Sequence, residues 1–359
     1  MEASPGTHAP STSGDVEGPA TDAAGPATDV AGPATDVEGI ATGVLPWERA
    51  WHRALYGDAG FYRQPAGPAG HFTTATHGAP GRVLARALVA WADRLGCDSI
   101  VDLGAGRGEL LAHLREVAPD RPLAGVDVVA RPDHLADDIG WLVSPGGGLL
   151  PDDLRPTDAL VVAHEWLDVV PCPVLERDDQ GVARQVLVDP STGAESLGEA
   201  ASGADLEWCQ RFWPSIIDQA AAPRDRAEVG LPRDVAWSAL LDRMTRGAAI
   251  AVDYGHLVEG RPADGSLVAY RQGQRVTPVP DGSCDLTADV AVDALRHTEL
   301  VRQSVALRRV GVRAGTPDHA LSRSDPPAYL QGLADAGAAA SLLAPGGFGD
   351  FWWVIARLP

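Results

Sequence analysis

One stretch, Ile100-Val-Asp-Leu-Gly-Ala-Gly-Arg-Gly-Glu-Leu-Leu-Ala-His-Leu114, constrains the fold more than any other part of the chain. β-Favouring residues run into an acid, Asp102. Gly104, Gly106 and Gly108 follow, and then Leu110, Leu111, Leu114 and Val117 recur on a helical period. The pattern is strand, tight glycine turn, helix. Glycine has no Cβ, so its backbone turns sharply and comes close to a ligand. The helix that begins there leaves its first N–H groups free to meet that ligand.

Such a turn serves two cofactor classes. The dinucleotide fingerprint G-x-G-x-x-G requires a glycine where this chain has Glu109, so a dehydrogenase is the weakest reading. The spacing here is G-x-G-x-G with Asp102 two residues ahead, which resembles the first motif of class I S-adenosylmethionine (SAM) methyltransferases. Nineteen residues past Gly108, the segment Leu123-Ala-Gly-Val-Asp127 reads as a second strand ending in an acid. That is the place of a ribose-hydroxyl reader in Rossmann-type sites. SAM carries a sulfonium and an ammonium, so acids around it are electrostatically favourable. The expected cofactor-binding residues are therefore Asp102 near the ammonium, Gly104, Ala105, Gly106 and Gly108 along the methionine part, and Asp127 on the ribose. Trp141 is a candidate neighbour of the adenine. The bland alternative is a Rossmann-like sheet that holds no cofactor.

The 359 residues suffice for one large domain or two modest ones, with a sizeable core. A net charge of -20 argues against a nucleic-acid partner, which needs a basic patch. The chain contains no lysine, which excludes a P-loop lysine and a Schiff-base lysine. Cys97, Cys172, Cys209 and Cys284 form no C-x-x-C pair, so reduced thiols in a cytoplasmic protein are expected, with neither a zinc site nor a disulfide framework. No run of eighteen apolar residues occurs, so no membrane span is expected. The N-terminus lacks the basic and apolar regions of a secretory signal.

Residues 1–45 repeat Gly-Pro-Ala-Thr-Asp at Gly18, Gly25 and Gly32. Small and acidic residues bury too little area to offset ordering entropy, so a disordered acidic tail is expected. Residues 46–171 form an N-terminal segment and the SAM-binding half of an α/β, Rossmann-like domain with helices on both faces of the sheet. Helices are expected over Pro46–Tyr56 and over 81–95, where Gly96 supplies the stop. Ile139–Val143 and Ala159–Ala163 are the third and fourth strands. The fourth, fully apolar as inside a parallel sheet, delivers His164, Glu165 and Asp168 to the carboxyl end, where ligands of such folds sit. Residues 172–246 read as an insertion, a hairpin followed by helices, on the substrate side. Residues 247–359 complete the sheet, beginning with a strand that ends at Asp253. Asp285 is expected to cap a helix, Val301–Val312 to be a strand, and Phe348–Ala356 to close the sheet.

Together these motifs resemble the MidA-type SAM-dependent methyltransferases, whose mitochondrial relatives assist respiratory complex I assembly. The residues that carry the resemblance include Leu55-Tyr-Gly-Asp-Ala-Gly-Phe-Tyr62, Gly70-His-Phe-Thr-Thr-Ala75, Val101–Leu110 and His164-Glu-Trp-Leu-Asp-Val-Val-Pro171. They continue through Ala227-Glu-Val229, Val252-Asp-Tyr-Gly255, Asp285-Leu-Thr-Ala288 and Gly347-Phe-Gly-Asp-Phe351. The likeness runs from about residue 47 to the end. It implies a seven-stranded methyltransferase sheet with an inserted region, SAM as cofactor and, from the mitochondrial relatives, protein arginine methylation. The chain departs from the pattern at His164, where an Asn precedes the Glu, at His71, where an Asp follows the Gly, and at Ala75-Thr-His77, where Ala-Pro-Glu is usual.

Methyl transfer needs the nucleophile held in line and water kept out. A guanidinium is not deprotonated near neutral pH, so carboxylates must orient it. Glu165 and Asp168 are the candidates, with His164 as a base, and Glu228 and Asp253 stand second. The structural alternatives are a helix N-terminal acid for Glu165, local capping for Asp168, a satisfied strand-end histidine for His164 and solvated loop histidines for His71 and His77. Tyr254 reads as packing. The expected acceptor is a protein side chain. A small molecule is the first alternative, and an assembly protein with little turnover the second.

Overall fold

The computed structural model describes residues 43–64, 75–218 and 222–359. The repeat tail and the stretch with His71 lie outside the described residues. Seven strands in chain order build the central sheet: β1 Ser99–Leu103, β2 Leu123–Asp127, β3 Gly140–Val143, β4 Ala159–His164, β5 Gly247–Asp253, β6 Glu299–Arg302 and β7 Trp352–Leu358. Their spatial order is β3-β2-β1-β4-β5-β7-β6. The first five run parallel, and β7 is antiparallel to both its neighbours.

The alternation of a strand's side chains sets the layers. In β4, Leu160 and Val162 face one core and Ala159, Val161 and Ala163 the other. Helix α1 (Trp47–Tyr56) packs in a separate cluster, and helices α2 (Gly78–Leu95) and α3 (Glu109–Val117) cover the first core. The helix Pro326–Leu343 joins them with Ala338, Ala339, Leu342 and Leu343. Helix α2 stops where expected: Gly96 sits at φ 70° and its N–H closes on the Ala92 and Asp93 carbonyls. The second core is covered by Ala236, Trp237, Leu240 and Leu241 of the helix Leu231–Arg243. Helices on both faces leave the carboxyl edge of the parallel strands open. The connections from β1 and β4 lead in opposite directions there, which creates a crevice.

Two smaller sheets are added to this core, and the three-stranded one walls the crevice. Five strands, Leu45–Pro46, Val174–Arg177, Ala183–Val188, Glu195–Ala200 and Arg226–Glu228, form one. The hairpin is present, and the exposed strand after it was hidden because Glu195–Ala200 carries a single large apolar residue, Leu197. The other sheet joins Val268–Arg271 to Gln274–Val276 and to Asp285–Thr287. Asp285 therefore lies in a strand and caps no helix. The Trp51 indole donates to the Leu286 carbonyl, and pairing with Val268–Tyr270 overrides the local capping signal. Likewise Val301–Val312 is not one strand. It bends at Arg302 into the helix Gln303–Arg309, because Gln303, Ala306 and Leu307 bury themselves on a helical spacing.

Trp353 of β7 is fully buried, and its indole N–H donates to Gln303 Oε1 at 3.1 Å. Trp353→Ala should lower unfolding stability by about 3–5 kcal/mol through the cavity and the lost partner. Trp353→Phe should recover much of the packing. Urea denaturation followed by circular dichroism measures both, and equal losses in the two variants would contradict this packing account.

Candidate active site

A cavity of about 820 Å³ occupies the crevice at the carboxyl ends of β1, β2 and β4. Its cofactor half is built on the glycine turn. Gly104 and Gly108 both sit at φ 80°, a conformation that L side chains rarely adopt. A Cβ on Gly104 would lie 3.3 Å from the Trp166 ring, and one on Gly108 would press into Leu135 at 2.7 Å. Gly108 thus starts α3 and packs on Leu135, outside the residues that line the cavity. Gly104, Ala105 and Gly106 do line it.

Asp127 ties the turn to β2: its Oδ2 accepts from the Gly106 N–H at 2.8 Å and its Oδ1 from the Val129 N–H at 3.2 Å. Burial pushes its carboxyl up to about 6, although the backbone donors oppose the shift. Asp102 is 3% exposed, and burial raises it to about 7 against the pull of nearby His164. Glu109 accepts from the Arg107 N–H and lies 3.6 Å from His77 Nε2. Trp141 is not among the residues that line the cavity; its indole donates to the Val129 carbonyl and its ring lies against Gly125. Val128, Val129 and Ser144 line the cavity near it.

The other half is acidic. β4 ends at His164 and the chain turns at Glu165, whose φ of +52° is a strained value for a non-glycine residue. No helix starts there, so Glu165 is not a helix N-terminal acid. His164 Nδ1 lies 3.3 Å from Glu165 Oε1, and His164 Nε2 is buried without a hydrogen-bond partner. Asp168 Oδ2 accepts from Thr287 Oγ1 at 2.9 Å and from the Tyr254 hydroxyl. Tyr254 therefore does more than pack, although its ring does rest on Phe351. The Tyr62 hydroxyl donates to Asp285 Oδ1 at 2.7 Å, and burial raises Asp285 to about 8. Asp289 completes the wall.

His164, Glu165 and Asp168 line the same cavity as Asp102 and Asp127. Glu228 does not. It is buried under the three-stranded sheet, where it accepts from the Ser266 and Leu267 amides and fixes that loop. Asp253 sits behind the lining, 1% exposed. Tyr62, Asp285 and Thr287 lie in motifs that carry the resemblance but received no site role, and Asp289 was not singled out. The spacing of Asp285 and Thr287, two apart on one strand face, was the available signal. Three residues are too short for it to register.

A mixed seven-stranded sheet with a glycine turn and two acids at its carboxyl edge defines the class of Rossmann-like, SAM-dependent methyltransferase folds. The model of the family described as "Putative S-adenosyl-L-methionine-dependent methyltransferase" matches residues 127–310, just over half of the chain. The chain belongs to that family, and it is a SAM-dependent methyltransferase. Two solved structures from Burkholderia thailandensis share the fold. A COG1565 superfamily member bound to S-adenosyl-homocysteine is 22% identical, with 87% of each chain covered and a TM-score of 0.66. A second COG1565 superfamily protein is 24% identical over 88% of this chain and 87% of that one, with a TM-score of 0.64. No curated protein matches the chain. Among the described residues no helix is long and apolar enough to cross a membrane.

The site fits SAM. A close-approach glycine turn faces two buried acids, and the cofactor's ammonium and sulfonium would relieve the desolvation that now raises both carboxyls. Folded Asp102 holds its proton up to about pH 7, whereas an unfolded Asp releases it near 3.9. The ligand-free protein should therefore lose stability as pH rises through that window. A bound ammonium favours the ionised carboxylate, so affinity for S-adenosyl-homocysteine should rise from about pH 6 to about pH 8, with proton release below the upper end. Calorimetry in two buffers of different ionisation enthalpy counts that proton. The pH dependence should flatten in Asp102→Asn, and a wild type that releases no proton would refute the assignment.

Proposed function

We propose that this methyltransferase is of the MidA type and methylates a protein side chain, arginine foremost. The observation that carries the reading is the acidic acceptor half, where Glu165, Asp168, Asp285 and Asp289 converge on one end of the cavity. A guanidinium stays charged at neutral pH, so the enzyme's task is to bind it, align one nitrogen and draw its charge away from that nitrogen. Glu165 and Asp168 take this role. His164 positions Glu165 from 3.3 Å, and its unpartnered Nε2 is free to meet a polar group of either substrate.

SAM supplies a methyl group already activated by its sulfonium. The backbone of Gly104, Ala105 and Gly106 would border the methionine part, with Gly108 holding the turn's shape. Asp102 would face the ammonium and Asp127 the ribose hydroxyls. Alignment and exclusion of water then account for most of the acceleration. Four free, buried cysteines are in keeping with a reducing cytoplasm.

A small-molecule acceptor is the second reading. It draws on the three-stranded sheet, whose Val268, Tyr270 and Arg275 wall the acceptor end. Incubating the purified protein with methyl-labelled SAM and arginine- or lysine-containing peptide pools separates the readings. Label is expected on arginine nitrogens, with Glu165→Gln lowering turnover on the order of 10²-fold. Label that appears only in a small-metabolite fraction would replace the protein acceptor with the alternative.

A further inference from the structure

Asp253 ends β5, and its carboxyl lies against that of Asp168 in the turn after β4. The two side chains are 1% and 3% exposed. Asp168 Oδ2 has two hydroxyl donors, Thr287 and Tyr254, but Asp168 Oδ1 and both Asp253 oxygens are buried without a donor from any other group. Buried carboxyl oxygens left unpartnered are costly. Two anionic carboxylates in contact in a dry site are costlier still.

The surroundings set the charge that the pair can carry. Glu165 and His164 face it from the β4 turn, Asp285 and Asp289 from the strand Asp285–Thr287 and the turn after it, and Tyr254 from the β5 end. The one cation behind it among these groups is Arg233. Its fully buried guanidinium donates to the Asp168 carbonyl at 2.8 Å, the Asp289 carbonyl at 2.8 Å and the Val170 carbonyl at 3.2 Å. A single fixed positive charge balances one negative charge on the pair. The missing donor in the contact is then a proton carried by Asp253.

We propose that Asp168 and Asp253 form a carboxyl pair that holds one proton at rest and takes up a second, from the acceptor nitrogen, when the methyl group is transferred. The proposal rests on the nitrogen-acceptor reading above. The new N–C bond forms as the C–S bond breaks, the C–S electron pair stays on sulfur, and the nitrogen's proton passes to Asp168. A cationic acceptor, a cationic donor and a singly negative pair become a methylated cation, a neutral thioether and a neutral pair, so charge is conserved. Asp168 touches the acceptor space, and Asp253 is a positioning residue that acts through it. Burial and the adjacent Asp168 both hold Asp253 well above the usual carboxylate range.

The direct test needs neither acceptor nor cofactor. Infrared difference spectra of the resting protein near pH 8, wild type minus Asp253→Asn, should contain the C=O stretch of one protonated carboxylic acid that shifts in D₂O. Absence of that band overturns the pair. With an arginine-containing peptide as acceptor, Asp253→Asn should lower kcat on the order of 10²-fold. It should also remove the alkaline limb of the kcat–pH profile, with KM and S-adenosyl-homocysteine affinity changed less than about threefold. An unchanged profile also overturns the proposal.

Should Asp253→Asn not fold, Tyr254→Phe serves, because losing a donor to Asp168 must raise the pH of the acid limb. An unmoved limb counts against the pair. The infrared band is independent of the acceptor, so failure of the arginine reading leaves it in place.

Discussion

The acidic side of the cavity depends on one buried guanidinium. Arg233 is 1% exposed, and its guanidinium donates to the carbonyls of Asp168, Val170 and Asp289. It faces the Trp51 ring at 5.8 Å, which extends its contact to α1. A charge removed from water is tolerated only where hydrogen bonds and opposite charge replace the solvent. Arg233 obtains both by drawing together the turn after β4 and the segment after Thr287, the two segments that carry Asp168 and Asp289. The same contact places a fixed positive charge beneath a cluster of acids.

The cofactor side works by a different physical device. Its geometry is local: a strand edge, three glycines and a helix start within ten residues. Asp127 locks the turn by accepting the Gly106 amide, which leaves the turn's shape dependent on the neighbouring strand. Burial raises Asp102 and Asp127 alike. Both are held in a state that a cationic ligand relaxes, so the site is matched to SAM by its desolvation as well as by its shape.

How legible each part was follows from how far apart its residues lie in the chain. Strand β4 is apolar throughout and was readable as a buried parallel strand. Helix α2 showed its periodic face and its glycine stop. Glu195–Ala200 showed nothing, because an exposed strand has no apolar alternation. Asp285–Thr287 was misread because Asp is a good cap in isolation, and only the pairing with Val268–Tyr270 makes it a strand. Gln303–Arg309 was masked by valines whose β preference gave way to burial of Gln303, Ala306 and Leu307.

The sequence by itself determined the half of the site whose residues are neighbours along the chain. Asp102, the glycine turn and Asp127 lie within one β–α–β unit, and local propensity with strict backbone demands suffices to specify such a unit. The tertiary structure alone decided the acidic half. Thr287 meets Asp168 across 119 residues, and Tyr254 meets it across 86. Contacts of that separation leave no periodic trace in the chain. They exist because the sheet order sets β4 beside β5 and a second sheet closes over both.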